Sequence, residues 1–151
     1  MVTAECVFCD KLFIVWVAAL CSFGYLCLRL IEMRAMMNIE SVREYALSLH
    51  PQVTEELFAE NWICFRICDK WFMLIQLDAP EPRVAVKLDP EETEQLREQY
   101  DGIRPAYHMN KRHWSDLYLA RLDDALVQHC IRESYDLVVR KLPRKQRELL
   151  L

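Results

Sequence analysis

Trp62-Ile63-Cys64-Phe65-Arg66-Ile67-Cys68-Asp69-Lys70-Trp71-Phe72-Met73-Leu74-Ile75-Gln76 holds two runs of aromatic and β-branched residues around one short polar break. Residues of this kind suit a pleated, half-buried surface. Two such runs joined by a short break read as an antiparallel hairpin, with Cys68-Asp69-Lys70 as the turn. Large apolar side chains occupy both alternating positions, so both faces carry apolar groups. The hairpin is therefore expected at the centre of a sheet, covered on one side by helices.

Working outward, Val53 to Phe58 is a further strand candidate on the N-terminal side. Before it, Asn38 is placed to cap a helix that presents Ile39, Val42, Ala46 and Leu49 at helical spacing, and His50-Pro51 ends it. On the C-terminal side, Asp78 to Pro82 forms a loop with two prolines. Arg83 to Leu88 then alternates, with Val84, Val86 and Leu88 inward and Arg83 and Lys87 outward. Asp89-Pro90-Glu91-Glu92 combines an N-cap, a first-position proline and acids at the positive dipole end, which predicts a helix to about Gln99. That helix stops at Tyr100-Asp101-Gly102. Ser115 to Leu119 is the last strand. Leu122-Asp123-Asp124 opens the longest helix, with Leu126, Cys130, Leu137, Val138 and Leu142 on its apolar side; Pro143 and a basic tail follow. The order is α-β(3-4)-α-β-α: a two-layer α+β domain with an antiparallel sheet packed against helices.

Length and composition agree with one domain. The chain has 151 residues, of which 53% are apolar and 28% charged, so a polytopic membrane protein is excluded. Much of the apolar excess lies in residues 1–36, a hydrophobic N-terminal extension unlike the domain at 37–151. Leu12 to Leu28 is an uncharged run of 17 residues, at the lower limit for a bilayer-spanning helix. Three readings of the extension stay open: translation that begins at Met36 or Met37, a membrane anchor over 12–28, or a buried helix. Membrane contact is expected only if the extension is translated. Seven scattered cysteines do not form a disulfide framework, which points to free thiols in a reducing cytoplasm.

Charge divides along the chain. Asn38 to Ile103 holds 14 acids against 6 Lys or Arg, whereas Arg104 to Arg147 holds 10 Lys or Arg against 5 acids. A basic C-terminal third can meet phosphates even though the whole chain has a net charge of −4. At its head stands Arg104-Pro105-Ala106-Tyr107-His108-Met109-Asn110-Lys111-Arg112-His113-Trp114, with two imidazoles, two aromatic rings, an amide and three cations but no acid. Two readings of this stretch coexist. In one, Lys111, Arg112 and Arg104 contact phosphates, His108, Asn110 and His113 hydrogen-bond, and Tyr107 or Trp114 stacks on a base. In the other it is a structural loop: Tyr107 and Trp114 enter the core, while Asn110 and His108 tie down backbone. Tyr135 and Asp136, mid-helix, are expected to hydrogen-bond to the same loop, and Lys87 and Asp89 to flank a strand end. No set of four metal ligands emerges. With only Gly24 and Gly102 there is no glycine-rich phosphate loop, so no nucleotide cofactor is expected.

Several of these blocks carry a resemblance. The Tyr107–Trp114 stretch, the opening helix from Asn38-Ile39-Glu40 to Tyr45, Val86-Lys87-Leu88-Asp89-Pro90-Glu91, Leu96-to-Tyr100 and Ser134-Tyr135-Asp136-Leu137-Val138-Val139 resemble, in the same order, the MmcQ/YjbR family of small bacterial proteins. The resemblance covers about three quarters of the chain. It implies an α+β fold similar to that of secretion chaperones, and DNA binding, because the family's hairpins have been likened to a double wing; it implies no catalytic activity. Two departures stand out: Ala59-Glu60-Asn61 replaces a common Pro-Phe-Gly turn and adds an acid, and Arg66 replaces lysine. The leading expectation is a non-enzymatic cytoplasmic protein that binds DNA phosphates through Lys111, Arg112 and the tail cations Arg144, Lys145 and Arg147. The alternatives are a protein- or peptide-interaction module, docking on the exposed sheet face or the Trp62/Trp71 hairpin, and a small-molecule or anion-binding enzyme centred on His108 and His113.

Overall fold

Six antiparallel strands in the order β1-β2-β3-β4-β6-β5 form the central sheet of this chain. A computed structural model describes residues 37–150. The extension at 1–36, with its anchor and start-site readings, lies outside the described residues. Within them, no helix is long and apolar enough to cross a membrane.

Helix α1 (Ile39–Ser48) opens on the expected cap: Asn38 accepts from the Ser41 amide at 2.8 Å, and Ser41 Oγ accepts from the Asn38 amide at 2.9 Å. It buries Val42 and Ala46. Strands β1 (Thr54–Phe58), β2 (Trp62–Ile67), β3 (Lys70–Gln76) and β4 (Arg83–Lys87) follow, then helix α2 (Pro90–Gln99), capped by Asp89. The β2–β3 turn is the two-residue loop Cys68-Asp69, both at positive φ (46° and 61°). A turn with two left-handed residues matches the right-handed twist of the flanking strands, so the hairpin closes tightly without glycine.

Two elements differ from the expected order. Ile103–Pro105 pairs as β5 with β6 (Trp114–Tyr118), so part of the basic stretch is an edge strand. Three residues ending in proline carry no readable alternation, and only the neighbouring strand makes them one. The basic tail forms a short helix, α4 (Arg144–Glu148), after the long helix α3 (Asp124–Arg140). On α3 the buried stripe runs through Val127, Cys130, Ile131, Ser134, Tyr135 and Val138, while Leu126 and Leu137 are only half-buried. Cys130, Val138 and Leu142 are buried as expected, and the stripe shifts from Leu126 and Leu137 toward Val127, Ile131, Ser134 and Tyr135.

Helices α1 and α3 pack on one sheet face around Phe65, Phe72, Met73, Ile75, Val84, Val86, Leu117 and Ile131, nearly all fully buried. The opposite face carries a small second cluster of Cys64, Leu74, Ala85, Ala106 and Trp114. Gly102 is needed where it stands: a Cβ there would lie 2.7 Å from the Leu122 side chain.

Candidate functional site on the open sheet face

The stretch between β5 and β6 folds back over the open face, and its backbone explains how. Asn110 closes the turn: its side-chain oxygen accepts from the Arg112 amide at 3.0 Å, and its carbonyl accepts from the His113 and Trp114 amides. Arg97 of α2 clamps the far end, with Nη2 2.9 Å from the Lys111 and Trp114 carbonyls and from Ser115 Oγ. One nitrogen has two N–H groups for these three acceptors, so at least one bond is shared. Ala106 and Trp114 anchor the loop against Leu74 and Ala85.

Each expected site residue can then be placed. Trp114 is buried and Asn110 holds backbone, as the structural reading requires. Tyr107 instead stands 76% exposed, and His108 makes ring contacts rather than backbone bonds, edge-on to Trp62 at 6.1 Å and to Tyr107 at 4.7 Å. Loop closure is already complete through Asn110 and Arg97, which leaves both side chains outside it. His113 is half-buried, with Nδ1 lacking a hydrogen-bond partner among the described residues. Arg104 pairs with Asp101 at 3.1 Å. Lys111 and Arg112 are exposed with no carboxylate partner among the described residues. Arg144 is tied to Glu148 at 2.8 Å; Lys145 and Arg147 are exposed beside it on α4. The structure does not merge the two basic groups, since the loop covers the open face while α4 abuts the helix layer near Tyr135 and Val139. Tyr135 turns its ring to Phe72, 5.7 Å away on the helix-covered face, so the expected bond from it to the loop is not made.

Beside the loop lies a groove of about 190 Å³, lined by Phe58, Trp62, Trp71, Leu74, His108 and Met109. Strand alternation sends Trp62, Cys64 and Leu74 to this face while Phe65, Met73 and Ile75 go to the core. A register shift between Phe65 and Arg66 leaves Phe72 as the extra residue of a bulge on β3, next to Trp71. Phe58 stands edge-on to Trp71 at 4.9 Å, and the Arg66 guanidinium lies 5.7 Å from the Trp71 ring centre while pairing with Glu56 at 2.8 Å. Phe58 remains 46% exposed and its neighbour Leu57 63%.

Two polar features of this face escaped the sequence reading. Asp116, opposite Ala85 on β4, is only 7% exposed. Burial pushes its carboxyl above the ordinary range, against the opposing pull of Arg83, the Tyr107 amide and His108. An alternating strand offers no sign of a buried acid. The folded state therefore holds the Asp116 proton more tightly than the unfolded chain does, so its contribution is fullest below pH 3.8 and is lost as pH rises through the raised folded value. Asp116→Asn is therefore expected to be more stable than the parent at pH 7, with the advantage vanishing at acid pH, as read by denaturant melts at both. An advantage of equal size at both pH values would rule burial out as its cause. The second feature is Tyr118, whose ring meets the guanidinium groups of Arg121, Arg104 and Arg83 at 5.2, 5.5 and 5.8 Å. Glu81 and Asp101 neutralise two of these cations.

Among the described residues no three His, Cys, Asp or Glu side chains are grouped to hold a metal ion, and Cys64, Cys68 and Cys130 are free thiols.

Comparison with known proteins is consistent with this architecture. The YjbR family model matches residues 48–137. The chain is 36% identical over 118 residues to the uncharacterized protein YjbR of Escherichia coli K12, covering 76% of this chain and 98% of that one. It is 33% identical over 92 residues to the uncharacterized protein YbdF of Escherichia coli O157:H7, covering 60% and 75%. Among solved structures, the Deinococcus radiodurans protein DR2400, with a DUF419 domain, aligns with a TM-score of 0.69 and 28% identity over 76% of this chain and 88% of that one. A Pseudomonas syringae protein aligns with a TM-score of 0.59 and 27% identity, covering 67% and 98%.

Proposed function

This chain belongs to the YjbR family, and within that family we propose that it is a non-enzymatic, cytoplasmic binding protein. Its docking surface is the aromatic groove on the open sheet face. The partner is a peptide or protein segment that inserts one large apolar or aromatic side chain. The observation that carries this is the groove cluster of exposed Phe58 with half-buried Trp62, Trp71 and Met109 at the edge strand β1. At about 190 Å³ the groove is smaller than the usual drug-sized ligand site of roughly 300–1,000 Å³, and suits a single anchoring side chain. Every residue of β1 is exposed, so a segment laid along it gains main-chain hydrogen bonds while its anchor fills the groove. Glu60, in the turn beside the groove, favours a partner with a cation next to that anchor.

DNA binding is the second reading. Exposed Lys111 and Arg112, without carboxylate partners among the described residues, favour it. The net charge of −4 and the separation of the loop from α4 weigh against it.

One paired experiment separates the two. Random peptides are selected on the full chain and rescreened on Trp71→Ala, while a DNA duplex is titrated by anisotropy at low and near-physiological salt. The groove reading expects selected peptides with a shared aromatic or aliphatic anchor, little salt dependence, and a loss of about thirtyfold or more in Trp71→Ala. Salt-sensitive duplex binding that drops in the Lys111→Ala/Arg112→Ala variant, with no Trp71-dependent peptide, would replace it with the DNA reading.

A further inference from the structure

A hollow of about 480 Å³ lies between the end of α3 and the tail, and it shares no residue with the groove on the open sheet face. The chain reversal after α3 makes it. Helix α3 ends at Arg140, the buried side chain of Leu142 pins the link, and Pro143, with φ fixed at −54°, leads into α4. Tyr135 and Val139, four apart on one face of α3, give the hollow an apolar wall, which Leu150 of the tail extends. The rest of the lining is charged. Arg140 follows Val139, and Arg144 and Arg147, three apart, share a face of α4; all three are exposed.

The tail is tied to the chain just beyond α1. The Leu149 carbonyl accepts from Gln52 Nε2 at 3.1 Å, and the Leu150 carbonyl lies 3.2 Å from His50 Nε2. His50 Nδ1 accepts from the Gln52 amide, so Nε2 carries the ring proton and donates. These bonds hold Leu150 in place as part of the wall.

The charges of the lining are not balanced. Arg144 pairs with Glu148 at 2.8 Å through Nε, which leaves its outer N–H groups open. Arg140 lies 3.6 Å from Glu133, beyond hydrogen-bond distance. Arg147 has no carboxylate partner among the described residues. Glu148 is thus the one acid set against three arginines around the hollow.

We propose that this hollow binds a free anionic amphiphile, a small molecule whose apolar body ends in a carboxylate or a phosphate monoester. The body packs on Tyr135, Val139 and Leu150, and the head group takes the open N–H groups of Arg147 and Arg140, whose planar forks match its oxygens. The volume falls in the usual ligand range of roughly 300–1,000 Å³, unlike that of the groove. An inorganic anion leaves the apolar wall uncovered, and a neutral chain leaves the guanidinium groups without a partner. A DNA duplex meets the cations but brings nothing apolar to the wall. Because no groove residue belongs to this site, it stands or falls apart from the peptide reading.

The test is calorimetric titration of the full chain with octanoate, octyl phosphate, octanol and inorganic phosphate, as monomers at matched ionic strength. Vesicles of phosphatidylcholine with and without phosphatidylserine, and a short DNA duplex, are titrated alongside. The expected result is saturable binding of octanoate or octyl phosphate, with octanol and inorganic phosphate about tenfold weaker or more. The tighter of the two anions names the head group. Arg147→Ala and Arg140→Ala should each weaken binding about tenfold without lowering the melting temperature, since both side chains are exposed. Lys145→Ala on α4 and Trp71→Ala in the groove should leave it unchanged. The proposal is overturned if neither anion binds saturably, or if octanol or inorganic phosphate binds as tightly. It is equally overturned if both arginine variants bind like the parent, if Trp71→Ala abolishes binding, or if only anionic vesicles or the duplex bind.

Discussion

Phe72→Ala is expected to destabilise the domain by about 3–5 kcal/mol, the usual cost of deleting a core phenylalanine. Phe72 is fully buried, and its ring meets Phe65 edge-on at 6.5 Å and Tyr135 at 5.7 Å. It joins β2, β3 and α3, so neighbours on three elements would have to collapse inward together to fill the cavity. Against a total stability of roughly 5–15 kcal/mol for a domain, such a loss takes a large share of the folded state. Denaturant unfolding of the parent, Phe72→Leu and Phe72→Ala would show it. Leucine should recover much of the loss. A cost below about 1.5 kcal/mol for alanine would mean that the sheet and α3 are not coupled through this ring.

Ser134→Ala removes only one oxygen, yet about 2–4 kcal/mol is expected, because two buried backbone groups lose their partner together. Its hydroxyl is the link that replaces the Phe72–Lys87 rung. Without it the Lys87 amide and the Phe72 carbonyl face each other across strands held too far apart to pair directly. Ser134→Thr keeps the hydroxyl but must fit a methyl group at a site with no exposed surface, so it should fall between parent and alanine. Hydrogen exchange at the Lys87 amide separates this explanation from simple loss of packing. The alanine variant should exchange faster at Lys87 than at Val86, whose amide faces β6 and keeps its strand partner Ser115. Equal protection at both amides would discount the bridge.

The two variants also mark which information was legible in the chain. The Phe72 hairpin declared itself through its aromatic and β-branched runs, and both predicted helix caps, Asn38 and Asp89, stand where their side chains require. Those signals are local: a cap needs a residue two or three positions away, and strand alternation needs only its own segment. Ser134 carried no comparable signal. In the chain it is one serine on a long helix, and its value comes from strands 47 and 62 positions away. The same holds for β5, a strand only because Trp114–Tyr118 lies beside it, and for Asp116, whose burial follows from the loop folded above it.

The candidate sites divide in the same way. Sequence alone supplied the unusual Arg104–Trp114 stretch and the Trp62/Trp71 hairpin as places to look, together with the α+β class and the antiparallel pairing of β2 with β3. Tertiary structure alone decided that Asn110 and Trp114 serve the loop, that His108 lines a groove with Trp62 and Trp71, and that Lys111 and Arg112 stand apart from the tail cations. The reason is physical: periodicity and capping act between neighbours along the chain, whereas burial, repulsion and groove shape act between groups that only the folded sheet brings together.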